Sequence, residues 1–305
     1  MSLGAPIGVL LLAFGGPDSP EAIEPFMTNL MGGRKPPQVV VEKVKARYDL
    51  IGGKSPLPET TRLQAEALEK ELGNNYKVFV GMRYWHPFIS EAIEAMSKDG
   101  IRKVVAVSLS PHYAGVSTGA YQKGIEEALA ATEADISIIM AGGWYDNSLY
   151  IDALVDNITT ALKSFPDEVQ DKVQYIFSAH SLPISHIEGG DPYVDQIKTT
   201  IDKVLAKLNI KNWHLAYQSK GGSQEPWLGP EAEEVMAELK ALGQRDILVV
   251  PVSFASDHIE TLYDIDIVQR GKAKELGLNF ARAAALNISP KFIAALAEVV
   301  RKTQS

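Results

Sequence analysis

Two short stretches of this chain combine residue types that can move protons or hold a metal ion. In FSAHSLP, residues 177–183, His180 sits between two serines directly after the apolar run VQYIF. In DHIETLYD, residues 257–264, His258 is followed by Glu260 and then by Asp264. Imidazole and carboxylate without thiolate can bind a divalent first-row metal such as Fe²⁺, Zn²⁺ or Co²⁺, or carry protons near neutral pH.

Each residue also has a plainer reading. Asp257 and Glu260 fit a capping box, with Asp257 at the N-cap and Glu260 reaching back to its amide. His180 fits a loop histidine bonded to a neighbouring serine. A hydrolytic reading with Ser178 or Ser181 as nucleophile is disfavoured, because no G-x-S-x-G elbow occurs and a nucleophile and its base are rarely this close in sequence. If a helix continues past Glu260, Asp264 four residues on shares its face and extends an acidic track, which ends where Val268 takes the next position. His112, in SPHYAGVSTG, is a further candidate ligand or an ordinary loop residue.

The elements that would position these groups are parallel strands joined by helices, so the fold class is α/β. Strands are expected at 9–14, 77–84, 103–110 and 136–142 in one lobe and at 173–180, 213–219, 246–254 and 278–286 in the other. The third strands look alike, DGIRKVVAVSLSPHY against LGQRDILVVPVSFASDH, which fits a duplicated unit. IEEALAAT, YVDQIKTTIDKVLAKL and EAEEVMAELKALG carry the apolar period of packing helices. The lobes divide at 1–147 and 148–305, and the last helix, 290–303, opens on Ser289 and Pro290 and can pack back on the first lobe. In such sheets the loops at the carboxyl ends of the strands form the binding crevice. His180 and the pair His258 and Glu260 therefore meet there although about 80 residues separate them.

Composition narrows the chemistry. The 305 residues carry a net charge of −8 with no basic stripe, which argues against nucleic acid as a partner. There is no cysteine, which excludes disulfides, thiolate metal sites and a Cys-ligated iron–sulfur cluster. The opening MSLGAPIGVLLLAFGGP lacks a basic n-region and reads as a first buried strand, so a cytoplasmic location is expected. Gly15-Gly16-Pro17 is not a phosphate loop, since neither G-x-G-x-x-G nor a Walker lysine is present. Aromatic and methionine side chains near the strand ends suit a flat, apolar ligand.

LLLAFGGP, RYDLIGGKSPL, MRYWHPF, FSAHSLP, GDPY, YQSKGG with PWLGP, and VSFASDHIETLYDID run nearly end to end. In these motifs the chain resembles the ferrochelatases, which insert Fe²⁺ into a porphyrin in haem synthesis. The resemblance implies two similar Rossmann-like lobes, each a four-stranded parallel sheet flanked by helices, with the porphyrin in an interlobe cleft. It implies that His180 and Glu260 are the catalytic pair, binding the incoming metal and accepting pyrrole protons, and that Asp264 continues a metal-binding line. Phe14, Met31, Arg47, Tyr48, Ser55 and Tyr121 are implied porphyrin contacts. Phe14 stands where the coproporphyrin-using branch has a metal-facing tyrosine, and Met31 where it has a propionate-binding arginine, so protoporphyrin IX is favoured over coproporphyrin III. Iron enters as substrate, with no tightly bound cofactor and no iron–sulfur cluster. The lip PFMTNLMGGRKPPQVVV allows at most a weak peripheral membrane contact, and a monomer is compatible with the sequence. The alternatives are a chelatase for another metal or tetrapyrrole, such as cobalt or sirohydrochlorin, and a non-catalytic tetrapyrrole or metal carrier.

Overall fold

The computed structural model describes residues 6–132 and 134–304, so residues 1–5 of the opening stretch lie outside what is described. Contacts divide the chain into two units. One runs to Trp144 and takes in the final stretch from Asn287, and the other is Tyr145–Leu286.

In the first unit β1 (Ile7–Ala13), β2 (Tyr76–Met82), β3 (Lys103–Ser108) and β4 (Ser137–Met140) form one parallel sheet in the order β2-β1-β3-β4. The run VLLLA of β1 is apolar at every position because helices cover both faces of a parallel sheet, and each of those residues is buried. One face packs Leu10, Leu12, Val104 and Ala106 against Ile93 and Met96 of the helix Ile89–Lys98 and Ile125 of the helix Ala120–Thr132.

The last helix, Pro290–Gln304, belongs to this unit, whereas the sequence division drew it within 148–305. It lies against the helix Leu57–Leu72. Gln64 donates to the Asn287 carbonyl at 2.8 Å, Arg301 donates to the Glu71 carbonyl at 2.9 Å, and Phe292 packs on Trp144 with ring centres 5.5 Å apart. An amphipathic helix settles on whichever apolar face is uncovered, and sequence order does not decide that.

The second unit repeats the plan with β5 (Gln174–His180), β6 (Trp213–Gln218), β7 (Asp246–Pro251) and β8 (Asn279–Arg282) in the order β6-β5-β7-β8, all parallel. The helices Tyr193–Leu208 and Ala232–Ala241 stand where the apolar period placed them.

The two sheets agree in register as well as in order. Leu12 pairs with Gly81 and Ser108, and Ser178 pairs with Ala216 and Pro251. Beyond the paired segments the Leu109 amide donates to the Leu12 carbonyl at 2.9 Å, as the Val252 amide donates to the Ser178 carbonyl at 3.0 Å. Two residues after these acceptors stand Phe14 and His180, which makes them equivalent positions. Each third strand is followed by a π-helical segment, Gly115–Gly119 after β3 and Glu260–Gln269 after β7.

Several strands end earlier than their apolar runs predict. β3 stops at Ser108, β7 at Pro251 and β8 at Arg282, because the chain beyond turns into the loops while staying apolar. Among the described residues no helix is long and apolar enough to cross a membrane.

Candidate functional site

His180 is the last residue of β5, still in register with Gln218 of β6 but past the last pairing with β7 at Ser178, so its backbone is open to other partners on that side. Its amide donates to Ser253 Oγ at 3.0 Å, and its carbonyl accepts from the Tyr193 hydroxyl at 3.0 Å. The ring is held from one side by Nδ1, 2.6 Å from the Ser181 carbonyl. A carbonyl only accepts, so Nδ1 carries a hydrogen and Nε2 is the working nitrogen. Nε2 stands 3.4 Å from Glu260 Oε1.

Glu260 opens the π-helical segment, a helix form that recurs at functional sites. Its other oxygen, Oε2, lies 3.4 Å from Nε2 of His258, whose Nδ1 is in turn 3.1 Å from the Ser256 carbonyl. One carboxylate thus faces the Nε2 atoms of two histidines, each anchored through Nδ1. Phe254 packs beneath both rings, at 6.5 Å from His180 and 5.2 Å from His258.

This arrangement displaces the capping box. Asp257 accepts from Thr261 Oγ1 at 3.0 Å and from Arg282 at 3.1 Å, while Glu260 turns to the imidazoles. The helix starts at Ile259, which has no side-chain cap. The hydrolytic alternative also has no geometry: Ser178 Oγ donates to Gln218 and Ser181 Oγ to the Leu228 carbonyl, so both serines brace the strand end.

The electrostatics follow from this geometry. Burial alone would keep His180 neutral. The Glu260 charge, its hydrogen bond and the Ser181 carbonyl overcome that and push the imidazole up to about 9. Burial likewise works to raise the Glu260 carboxyl, but the His180 and then the His258 imidazoles hold it far below the usual carboxylate range. At neutral pH the pair is imidazolium against carboxylate, as two acceptors face to face would require.

The support is buried and polar. Gln218, at the end of β6, donates from Nε2 to the Glu260 carbonyl at 2.8 Å, while its Oε1 accepts from Ser178 and from Gln269 Nε2. Asp264 accepts from Ser219 Oγ at 2.5 Å, and Ser219 sits in the left-handed region at φ 58°. Val268 is exposed. Among the described residues no three or more His, Cys, Asp or Glu side chains gather into a metal-holding set. Sequence reasoning brought His258 with Glu260 to the crevice but gave it no role, and it missed Gln218 and Ser253. The spacing of His258 and Glu260, two apart just before a helix, was the one available signal.

The residues expected to touch a porphyrin all lie in the first unit and divide by burial. Phe14 is 45% exposed, Met31 36% exposed, and Arg47 lies exposed on the helix Gln38–Asp49. Phe14 packs on Tyr84 at 4.8 Å and on Phe26 at 6.4 Å, and Phe26 packs on Trp85, so the strand end is aromatic. Tyr48, Ser55 and Tyr121 are buried. Ser55 Oγ accepts the Leu57 amide at 3.2 Å at the start of a helix, and Tyr121 belongs to the core cluster, where burial drives its hydroxyl pKa upward. All three are packed within the first unit, where a polar tip on an apolar ring such as Tyr48 or Tyr121 suits a core as well as a binding face.

His112 is almost fully buried and pushed down to about 3 by that burial, so it stays neutral. Gly15 and Gly16 serve close packing. At Gly15, with φ +96°, an added Cβ would lie 2.9 Å from the Trp85 nitrogen, and at Gly16 it would lie 2.6 Å from Ser55 Oγ.

Comparison with known proteins agrees with this architecture. The family described as Ferrochelatase matches residues 6–304. A ferrochelatase of Geotalea uraniireducens is 43% identical over 314 residues, covering 97% of this chain and 98% of the relative. A coproporphyrin III ferrochelatase of Oceanobacillus iheyensis is 36% identical over 302 residues, covering 97% and 96%. Among solved structures, SirB from Bacillus subtilis with Fe³⁺ superposes with a TM-score of 0.62 at 13% identity, covering 98% of this chain and 95% of that one, a likeness of fold. The chain therefore belongs to the ferrochelatase family, the enzymes that insert a metal ion into a porphyrin in haem synthesis.

Proposed function

We propose that this enzyme inserts Fe²⁺ into protoporphyrin IX, with His180 and Glu260 as the catalytic pair. The observation that carries this reading is the 3.4 Å approach of His180 Nε2 to the Glu260 carboxylate at the carboxyl end of β5. Insertion must remove two pyrrole protons and bring a dication against the ring nitrogens. Glu260, held ionised, supplies the negative charge that draws the cation. As Fe²⁺ approaches, it replaces the imidazolium proton as counter-charge to Glu260, and His180 releases that proton to solvent, the way by which both pyrrole protons then leave in turn. Nε2 is then a neutral base positioned to bind the metal or take a pyrrole proton. Asp264 lies four residues along the same segment and takes the metal before Glu260.

Phe14, Met31 and Arg47 contact the porphyrin in this proposal. Phe14 and Met31 present apolar exposed surface, which supports the less carboxylated protoporphyrin, since neither side chain can pair with a further propionate. No resident cofactor takes part, and the cytoplasmic setting expected from the sequence is retained. The test is anaerobic incubation of the enzyme with Fe²⁺ or Co²⁺ and each porphyrin, following absorbance of the metallated product. Faster turnover of Fe²⁺ with protoporphyrin IX is expected. Faster turnover of coproporphyrin III would overturn the substrate assignment, and tight porphyrin binding without insertion would overturn the catalytic one.

A further inference from the structure

Glu260 has to be presented to two imidazoles from a segment with no side-chain cap at its start. One side chain from a different strand holds that segment on both sides of the glutamate. Arg282, the last residue of β8, donates to Asp266 from Nε at 2.9 Å and from Nη2 at 2.8 Å, a two-pronged grip on the π-helical segment. Its remaining prong, Nη1, donates to Asp257 at 3.1 Å in the loop before that segment. Asp257 also accepts from Thr261 Oγ1 at 3.0 Å, and that oxygen accepts the His258 amide at 3.0 Å. The guanidinium is largely buried, with its side chain 12% exposed, and this favours a fixed geometry over a mobile surface pair.

We propose that Arg282 is a positioning residue for metal insertion: by gripping Asp257 and Asp266 together it fixes the backbone on either side of Glu260. The Glu260 carboxylate thereby stays within reach of His180 and His258. Arg282 touches neither of those histidines nor the glutamate, so its effect reaches the reaction only through the segment it holds. The planar fork is essential, because an ammonium group's three donors radiate from a single nitrogen and do not reproduce the two parallel bonds to Asp266 together with the separate bond to Asp257. The inference rests on the function proposed above.

The test compares wild type with Arg282→Met, Arg282→Lys and Asp257→Asn, using the air-stable Zn²⁺ as metal and protoporphyrin IX as acceptor. For each protein, kcat, the KM of each substrate, the thermal midpoint and hydrogen exchange over residues 257–269 are measured. Arg282→Met is expected to lose about tenfold or more in kcat with the porphyrin KM changed less than about threefold, and to lose exchange protection within 257–269. Arg282→Lys is expected to fall between the two. Should Arg282→Met not fold, Asp257→Asn, which leaves the grip on Asp266 intact, is expected to lower kcat by a few fold at an unchanged thermal midpoint. Wild-type kcat in Arg282→Met, full turnover in Arg282→Lys, or a porphyrin KM that rises as far as kcat falls would each overturn the clamp. Absence of insertion by the wild type would instead overturn the function, and exchange over 257–269 would still decide whether Arg282 holds the segment.

Discussion

Phe14 directly follows β1 in the first sheet and His180 is the last residue of β5 in the second, at equivalent positions in the same strand order with the same register. Around Phe14 the neighbours are Tyr84 and Phe26, with Trp85 packed behind Phe26. Around His180 they are Glu260, Ser181 and Ser253. The third strands repeat the contrast: β3 leads to a buried, neutral His112, and β7 leads to His258 and Glu260 in a charged cluster. Topology decides where a ligand-facing residue will stand. The side chain placed there, and whether water can reach it, decide between a flat apolar surface and a proton-handling pair.

The sharpest way to break this contrast is to remove the pair. His180→Ala and Glu260→Gln are each expected to lower metal insertion roughly a hundred- to ten-thousandfold while the far-UV circular dichroism still shows the wild-type fold. Near-normal turnover in either would return both residues to structural roles.

Next comes the charge coupling. His180 has its pKa raised from the ordinary 6.5 to about 9. The pair's contribution to stability is therefore full between about 4.5 and 6.5, is lost as pH rises through about 9, and is lost in acid as Glu260 takes a proton, well below the usual carboxylate range. NMR titration of the His180 ring should show protonation persisting to about 9 in the wild type. In Glu260→Gln the largest raising cause is gone while the Ser181 carbonyl and Asp264 remain, so the titration should move down from about 9; a titration that stayed put would remove Glu260 as the cause.

In the first unit the effects are smaller. Met31→Arg together with Phe14→Tyr should shift the kcat/KM ratio toward coproporphyrin III by about tenfold, the worth of one charge-assisted hydrogen bond. Ser55→Ala should cost about 1 kcal/mol of stability by freeing the Leu57 amide and leave turnover within twofold of the wild type. A large loss of turnover in Ser55→Ala would make Ser55 a binding residue after all.

These contrasts also mark what the sequence could reveal. The strands and packing helices were legible because a buried parallel sheet needs unbroken apolar runs and its helices need one apolar face. His180 was legible as a polar residue ending such a run. The role of Glu260 was not legible from spacing alone, because a carboxylate three residues after an aspartate fits a capping box equally well. Only the fold, by giving Asp257 to Arg282 and Thr261, leaves Glu260 for the histidines. The π-helical form of residues 260–269 carries no periodic signature distinct from an α-helix over so short a stretch. Burial of Tyr48, Ser55 and Tyr121 was equally hidden, since it depends on what packs over them.

The central claim is that the charged pair of the second unit, and not its aromatic counterpart in the first, performs the insertion. The most direct test is the initial rate of anaerobic Fe²⁺ insertion into protoporphyrin IX by His180→Ala and by Phe14→Ala, measured side by side. Phe14→Ala should keep turnover within about tenfold of the wild type, the loss of one aromatic contact. His180→Ala should fall at least roughly a hundredfold. Comparable losses in the two variants, or the larger loss in Phe14→Ala, would contradict the account.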